Sequence, residues 1–494
     1  MSLTRRALLF GSGAAIGAVA AMVEAQKLPS LGGTVSLAPE GGEGVLNDAS
    51  KLSETPVFKH ITVTRDPGER LVEAIRAEMD EAREEGRPVA LSAARHSMGG
   101  HALPENGHAV TLENATVEVD TDARTALVHA GARWSEVIPA LDRWGFGPKV
   151  MQSNNDFGVA STFAVNAHGW PVPYGPMGST VRSVFLVEPG GELLEISRDK
   201  EPELFAMTMG GYGLTGAIVS LVIEIEPDRR LVPFFETMPA EEFGPAFVAA
   251  VSGEESRANM GYGRLNVARG AFFDEALMVT YLPTEDQSDL PPVGTSNWMS
   301  HASRYIFRGQ LGREAVKTAR WSFETDIAPL VAGGTTTRNT LLNEPVETLR
   351  GFDPSRTDIL HEYFVPPDRW EEFVTACREV IPSSYQSLLN VTLRYVAADT
   401  ESVLSYAPEP RIAAVMLFSQ EMTERAETDM RRMTSSLIDR VIDLGGTYYL
   451  PYRPHATRRQ LRQGYPNARE FAQRKREIDP DLLFRNMFWD RYFA

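Results

Sequence analysis

Three glycine-rich turns in the first half of the chain have the composition of phosphate-binding loops. They span residues 93–100, 157–169 and 210–216. In such turns the main-chain N–H groups can approach phosphate oxygens, because no side chain stands in the way. One such turn is a weak signal, since glycine turns occur in any fold. Three of them in one domain, each next to a predicted buried strand, indicate a site for the pyrophosphate of a cofactor.

The histidines near the first turn have a spacing that argues against a metal site. His96, His101 and His108 are five and seven residues apart, with no cysteine or cluster of carboxylates beside them. Metal ligands usually show tighter or helical spacing. The chain has one cysteine, Cys377, which excludes both a four-cysteine site and an intramolecular disulfide. We therefore predict no metal.

The elements around the turns favour an α+β fold. Residues 88–92 have the pattern of a buried strand that runs into the first turn, after a segment with helical spacing at 66–84. No GxGxxG motif follows a first strand, so a doubly wound nucleotide-binding sheet is not predicted. The other predicted strands of this domain are 109–112, 116–120, 125–130, 181–187, 193–196 and 217–225, and the helices are 134–144 and 201–209.

The second half has the pattern of an antiparallel sheet covered by helices, the usual form of a substrate domain. Its predicted strands are 261–267, 276–281, 388–396 and 411–418, and its helices are 313–320, 367–380, 420–443 and 467–477. These patterns predict a first domain at 56–227, a substrate domain at 228–445 and a C-terminal segment at 446–494.

Residues 56–227 resemble the FAD-binding domain of the vanillyl-alcohol oxidase and p-cresol methylhydroxylase superfamily. The motifs that match, in chain order, are Ala94-Arg95-His96-Ser97, Gly131-Ala132-Arg133-Trp134, Gly158-Val159-Ala160-Ser161, Asn166-Ala167-His168-Gly169, Gly210-Gly211-Tyr212-Gly213 and Gly216-Ala217-Ile218-Val219. The resemblance implies a domain of two subdomains that binds FAD. The residues that it implies as cofactor contacts are Ala93, Ala94, Arg95, His96, Ser97, Gly99, Gly158, Ser161, His168, Gly169, Gly216 and Ile218.

The resemblance also implies a role for His96. In relatives with a His-Ser pair in the first loop, such as cytokinin dehydrogenases and alditol oxidases, this histidine is bonded covalently to the 8α carbon of the flavin. We expect one covalent attachment, through His96, because the cysteine tether of some relatives has no counterpart here. The alternative is a loop histidine that only hydrogen-bonds the phosphate or ribose of FAD.

Two motifs in the second half resemble pocket segments of alditol and aldonolactone oxidases. Thr392-Leu393-Arg394 is similar to a Glu-x-Arg strand, and Arg453-Pro454-His455 to an Arg-Pro-His stretch. The resemblance makes Arg394, His455 and Arg458 the candidate catalytic residues. We expect His455 to accept a hydroxyl proton and the positive charges to stabilise a reduced flavin.

The C-terminal residues 478–486 are also similar to the superfamily's C-terminus, which folds back onto the FAD domain. This similarity places Asn486 near the flavin. The alternative is a turn started by Asp479-Pro480, with Phe484 and Phe488 filling the core. The sequence does not decide between the two.

The pocket motifs depart from those relatives. Thr392 stands in place of the glutamate, Arg458 in place of the lysine, and Leu417 where alditol oxidases have a histidine. Cytokinin dehydrogenases have an aspartate base at the position of Ser153. The substrate therefore stays open.

The first 25 residues are typical of a twin-arginine export signal. Arg5-Arg6 precedes a weakly apolar Gly/Ala/Leu-rich run at 7–22 and small residues before Gln26. Residues 26–55 have the composition of an extended leader. We expect a periplasmic or secreted protein with no membrane span in the mature chain, because no internal stretch approaches about 18 apolar residues. The net charge of −17 argues against a nucleic-acid partner.

The leading hypothesis is an FAD-dependent oxidase or dehydrogenase acting on a CH–OH group of a sugar, polyol or lactone. Reduced flavin would pass its electrons to O2 or a periplasmic acceptor. One alternative enzyme oxidises a C–N bond or an aromatic or benzylic alcohol. The other alternative is a flavin-holding export protein without turnover.

Overall fold

The computed structural model describes residues 35–64, 69–113, 116–294, 307–331, 334–345 and 353–494. The predicted export signal at residues 1–25 lies outside these ranges. Within them, no helix combines the length and the apolar character needed to cross a membrane.

In its described residues the first domain contains three sheets, one of them a two-stranded pair, with helices packed against them. Its strands are β1 (Val45–Leu46), β2 (Thr55–Pro56), β3 (Lys59–Val63), β4 (Val89–Ser92), β5 (His108–Leu112), β6 (Val117–Asp120), β7 (Thr125–His129), β8 (Phe146–Pro148), β9 (Val181–Val187), β10 (Leu193–Ser197) and β11 (Ala217–Pro227). Its helices are α1 (Glu69–Glu84), α2 (Trp134–Asp142), α3 (Val159–Ala164) and α4 (Pro202–Thr208). The sheet β3-β5-β4 is parallel, whereas β10-β9-β11-β7-β6 is antiparallel and has β8 paired to β11.

The second domain is built on one eight-stranded antiparallel sheet of order β15-β12-β14-β13-β17-β18-β16-β19. Its strands are β12 (Arg230–Pro239), β13 (Met260–Leu265), β14 (Glu275–Pro283), β15 (Thr336–Thr337), β16 (Arg356–Val365), β17 (Ser387–Val396), β18 (Arg411–Glu421) and β19 (Thr447–Tyr448). The helices that follow the first domain are α5 (Phe243–Ser252), α6 (Glu314–Ser322), α7 (Ala328–Val331), α8 (Arg338–Leu342), α9 (Trp370–Val380), α10 (Glu424–Asp443), α11 (Arg458–Gly464), α12 (Ala468–Ile478) and α13 (Met487–Tyr492).

The α+β class and the antiparallel sheet covered by helices in the second half are confirmed. The structure adds β12, whose sequence contains Pro233 and Pro239. Proline weakens a strand prediction, because it cannot donate a ladder hydrogen bond.

Alternation along β16 gives the large sheet two different faces. Tyr363 packs on Phe373 of α9 with ring centroids 6.1 Å apart, so odd-numbered residues of the strand face the covering helices. Glu362 contacts His168 of the first domain instead. The even-numbered face is therefore the one turned towards the first domain, and we call it the inner face.

The N-terminal segment differs from the extended leader that we expected for residues 26–55. From Asp48 onwards it packs onto the core: Ser50 is fully buried, and Asp48 and Ser53 are nearly so. Asp48 accepts a hydrogen bond from the N–H of Gly100, and the carbonyl of Ser50 accepts one from Thr357 on β16. Composition misses this packing because the contacts are made to residues far along the chain. The segment connects the first glycine-rich turn to the large sheet.

The C-terminal segment returns to the first domain. The N–H of Val89 on β4 donates to the carbonyl of Leu483 at 2.7 Å, which adds a short parallel bridge to the small sheet. Asn486 begins α13 as its N-terminal cap. The segment thereby spans the gap between β4 and the third glycine-rich turn.

Candidate cofactor and substrate site

The first glycine-rich turn presents a row of free main-chain donors. The N–H groups of residues 94–97 donate no hydrogen bond to any residue that the structure describes. Arg95 has a φ of 50° and Gly100 a φ of 71°, so the turn twice enters the left-handed region. This backbone forms a concave surface of N–H groups, the kind of surface that binds phosphate oxygens.

The second glycine-rich turn lies directly against the first. A Cβ on Gly158 would come within 2.6 Å of the Cβ of Ala93, so only glycine fits there without a shift. The rings of His96 and Phe157 lie 4.4 Å apart. The N–H of Val159 donates to the carbonyl of Ala132 at 2.9 Å. Three segments that are distant in sequence thus meet at one place.

The other predicted cofactor contacts lie in further segments of the first domain. Gly169 has its Cα so close to the Met151 carbonyl that a Cβ would sit 1.8 Å from that oxygen. Gly216 directly precedes β11, the strand that carries Ile218. The carbonyl of Val219 in the same strand accepts a hydrogen bond from the N–H of Ala130. Ser161 lies in the first turn of α3. The carbonyl of Ser97 accepts a hydrogen bond from the N–H of Ala49. Gly99 is buried next to the ring of His101.

His96 is a half-buried neutral imidazole. Burial lowers the pKa of its ring below the ordinary value, although the carboxylate of Asp156 acts in the opposite direction. A neutral ring keeps a nitrogen lone pair free for a bond or a hydrogen bond.

Asn486 bridges two of the glycine-rich segments through its side-chain amide. Its side-chain amide donates to the carbonyls of His101 at 2.6 Å and of Tyr212 at 3.0 Å. These carbonyls lie at the end of the first turn and inside the third. Asn486 therefore holds two glycine-rich segments together, and its buried amide is already committed to them.

The inner face carries a buried acid–base pair at the boundary of the two domains. Nε2 of His168 lies 2.5 Å from Oε1 of Glu362, and both side chains are almost fully buried. Nδ1 of His168 is also buried and has no partner among the described residues. Burial and the carboxylate of Glu362 raise the pKa of the nearby Tyr452 well above its ordinary value.

Arg394 belongs to the same inner face. Its guanidinium donates to the hydroxyl of Ser153 in the first domain, and its Nε is buried without a partner in the described chain. Burial lowers the pKa of Arg394, whereas the carboxylate of Glu362 raises it. Met98 of the first turn contacts the backbone of β16, because its sulfur accepts the main-chain N–H of Leu360 at 3.4 Å. The first glycine-rich turn therefore lies against β16.

The structure places His455 on the other side of the sheet. Its ring packs on His361, an odd-numbered residue of β16, with centroids 5.1 Å apart. Nδ1 contacts Thr434 at 2.8 Å and Nε2 contacts Glu427 at 2.9 Å. Both ring nitrogens are therefore occupied within the helical layer, and the sheet separates them from the inner face.

Arg458 is not brought to the inner face either. It lies at the exposed start of α11, where its Nε donates to the carbonyl of Arg491. Of the three candidate catalytic residues, only Arg394 lies on the inner face.

Glu427 and Arg453 form a buried clamp that sequence reasoning missed. Arg453 donates to Glu427 at 2.6 Å, to Ser53 at 3.1 Å and to the carbonyl of Met98 at 3.3 Å. Burial alone would raise the pKa of Glu427. The hydrogen bond from His455 and the charge of Arg453 outweigh it and hold the pKa well below its usual range. The only sequence signal was the Arg-Pro-His stretch, whose role here is to position the first turn.

The comparisons with known proteins agree with this geometry. Residues 70–197 match a family model described as an FAD binding domain. A mitochondrial L-galactono-1,4-lactone dehydrogenase of Arabidopsis thaliana is 27% identical over 162 residues, which is 33% of this chain and 26% of that protein. An alditol oxidase of a Streptomyces species is 31% identical over 113 residues, 23% of this chain and 27% of the oxidase. The alignments with these two relatives thus span about a quarter of each relative's length.

One relative aligns along most of its length. The decaprenylphosphoryl-beta-D-ribose oxidase of Mycolicibacterium smegmatis is 22% identical over 463 residues, covering 87% of this chain and 93% of the oxidase. The site residues fit FAD. The unpaired N–H groups of residues 94–97 suit its pyrophosphate, and the close approach of Gly158 to Ala93 shapes the turn that would hold it.

Proposed function

Because the chain carries an FAD-binding domain of the vanillyl-alcohol oxidase and p-cresol methylhydroxylase superfamily, we propose that it is an FAD-dependent oxidoreductase. Its substrate is a small molecule of the sugar, polyol or lactone type, oxidised at a CH–OH group. The observation that carries the proposal is the buried His168–Glu362 pair, whose histidine belongs to the second glycine-rich turn. The names of three relatives point the same way, since they refer to a lactone, an alditol and a ribose.

Each residue of the pair has a defined role in this proposal. When bound, FAD supplies an acceptor for the hydride of an alcohol carbon. Glu362 accepts the Nε2 proton of His168 in a hydrogen bond, which leaves the lone pair on Nδ1. Nδ1 takes the hydroxyl proton of the substrate, and Glu362 stabilises the imidazolium that forms. Arg394 supplies a fixed positive charge where negative charge develops.

His96 is the proposed attachment point for a covalent flavin. Its neutral ring, its place in the first turn and its contact with Phe157 support this assignment. An attached cofactor could not be lost after export, which agrees with the proposal that the protein is periplasmic or secreted. O2 or a periplasmic electron acceptor is proposed to reoxidise the reduced flavin.

An aromatic alcohol or an amine is the second candidate substrate class. Aromatic rings lie around the acid–base pair: Tyr449 is 6.0 Å from the ring of His168 and 5.4 Å from Tyr452. Such rings could stack on an aromatic substrate.

The test is an absorption spectrum of the purified protein, followed by acid precipitation and anaerobic titration with alcohols. We expect yellow colour that stays with the pellet, disappears in His96→Ala, and bleaches with a sugar, polyol or lactone. Colour released to the supernatant would contradict the covalent bond only. Bleaching by aromatic alcohols or amines alone would favour the second candidate. A protein that takes up no FAD would overturn the proposal.

Export is tested separately, by replacing Arg5 and Arg6 with lysine. We expect the periplasmic protein to disappear, because the twin-arginine route requires the pair. Unchanged export would contradict this route.

A further inference from the structure

Three guanidinium groups lie in a row along β17 on the inner face. Asn390, Thr392 and Arg394 point to this face together because strand residues alternate. Arg320 of α6 donates to the side chain of Asn390 at 3.0 Å. Arg264 of β13 donates to the hydroxyl of Thr392 at 2.5 Å. The row therefore runs from Arg320 through Arg264 to Arg394.

The carboxylates near this row already have other partners. Glu324 pairs with Arg320 at 2.7 Å, and Glu362 is held by His168. Neither Arg264 nor Arg394 forms an ion pair with any residue that the structure describes. Three guanidiniums thus share two carboxylates, and the excess positive charge falls on Arg264 and Arg394.

The two arginines are close enough to act on one group. Arg264 is opposite Thr392 in the β13–β17 register, which makes Arg394 its diagonal neighbour. Diagonal neighbours have their Cα atoms roughly 7–8 Å apart, within the reach of two long side chains. The charge of Arg264 also lowers the pKa of Arg394, because like charges repel.

Arg264 is held in one orientation by its surroundings. Its guanidinium lies over the ring of Tyr262, 5.2 Å from the centroid, and one of its nitrogens is fixed by Thr392. The remaining N–H groups stay free to donate. A partly buried guanidinium without a counter-charge is costly, whereas an anion with two oxygens matches its planar fork.

We propose that Arg264, next to Arg394, forms a subsite for the anionic group of the substrate, a carboxylate or a phosphate carried by a hydroxylated molecule. This inference rests on the proposed function and narrows its substrate class. In the sheet order β13-β17-β18-β16, Arg264 is three strands from Glu362, a spacing of roughly 14 Å between the backbones. The anion would therefore sit several bonds away from the oxidised carbon, as in a sugar acid or a sugar phosphate.

The first test compares matched pairs of compounds on the holoenzyme: D-gluconate with sorbitol, and glucose 6-phosphate with glucose. We expect the anionic member of a pair to reduce the flavin faster. Arg264→Gln should raise the KM for the anionic member about 10-fold or more and leave kcat and the neutral member nearly unchanged. The control is Arg269→Gln, since Arg269 lies on the surface of the same domain. Preferential oxidation of the neutral members would overturn the subsite and leave the proposed function standing.

The second test does not require turnover. D-Gluconate and inorganic phosphate are titrated into the holoprotein, and the shift of the flavin spectrum and of the melting temperature is measured. Wild type and Arg269→Gln should show saturable shifts that Arg264→Gln and Arg264→Met lack, with sorbitol inactive in all. Equal shifts in wild type and both Arg264 variants would overturn the subsite. If no compound reduces the flavin, the proposed function fails, and these binding data alone decide the subsite.

Discussion

Nε2 of His168 and Oε1 of Glu362 lie 2.5 Å apart, and this contact joins the FAD-binding domain to the inner face of the eight-stranded sheet. His168 lies four residues after the end of α3, and Glu362 is near the middle of β16. Neither residue could bury its polar atoms without the other. The docking of the two domains therefore creates the acid–base pair.

Glu362→Gln should lower kcat/KM by about 10²- to 10⁴-fold, because the amide cannot stabilise an imidazolium at His168. Stopped-flow reduction of the flavin measures this rate. Glu401→Gln is the control, since it removes only a surface ion pair with Arg198. A Glu362→Gln enzyme with unchanged flavin reduction would show that the pair has only a structural role.

Gly158→Ala should destabilise the protein by about 1–3 kcal/mol and reduce its flavin content, because the new methyl would press on Ala93 and shift the first turn. The measurements are urea unfolding and the ratio of flavin to protein absorbance. Gly270→Ala is the matched control, because a Cβ there meets no atom within 4 Å. Equal flavin content in the two variants would contradict the close approach of the two turns.

Arg453→Gln should destabilise the protein by about 3–5 kcal/mol, because it leaves Glu427 buried with less compensation. It should also lower the fraction of flavin that stays bound after acid precipitation, since Met98 loses its contact with the clamp. Arg459→Gln, which breaks a surface pair with Asp439, is the control. If Arg453→Gln retained as much flavin as wild type, the clamp would have no effect on the first glycine-rich turn.

His101 should make the protein sensitive to acid. Burial lowers the pKa of His101 to about 3, against about 6.5 in the unfolded chain. Between these two values the unfolded state binds a proton that the folded state does not. The free energy of unfolding therefore falls as the pH decreases, by up to about 1.4 kcal/mol per pH unit.

Urea unfolding of wild type and His101→Phe between pH 7 and 4 measures this effect. The variant should lose less stability on acidification than wild type. Trp144→Phe should follow wild type, because Trp144 is exposed and carries no ionisable group. Parallel curves for wild type and His101→Phe would mean that His101 is not the group responsible.

Much of the fold could be predicted because its signals are local. Alternating and helical hydrophobic patterns predicted a helix at 134–144 and strands at 388–396 and 411–418, and the structure has α2, β17 and β18 there. Glycine spacing likewise indicated a phosphate-binding turn before any contact was known. These features follow from neighbours in sequence, where backbone preferences and the pattern of burial act directly.

The partners of the functional side chains depend on contacts between distant segments. The sequence singled out His455 through a short motif, but the alternation of β16 puts His361, and with it His455, behind the sheet. Glu362, one residue away from His361, faces the first domain.

The sequence by itself thus determined most of the element types, the α+β class and the resemblance of the first half to an FAD-binding domain. Only the tertiary structure decided that His168 meets Glu362, that Arg453 holds Met98, and that Arg264 lies beside Thr392. The physical reason is that strand order and register fix which side chains share a face. Both are set by the packing of the whole sheet and of the domain docked on it.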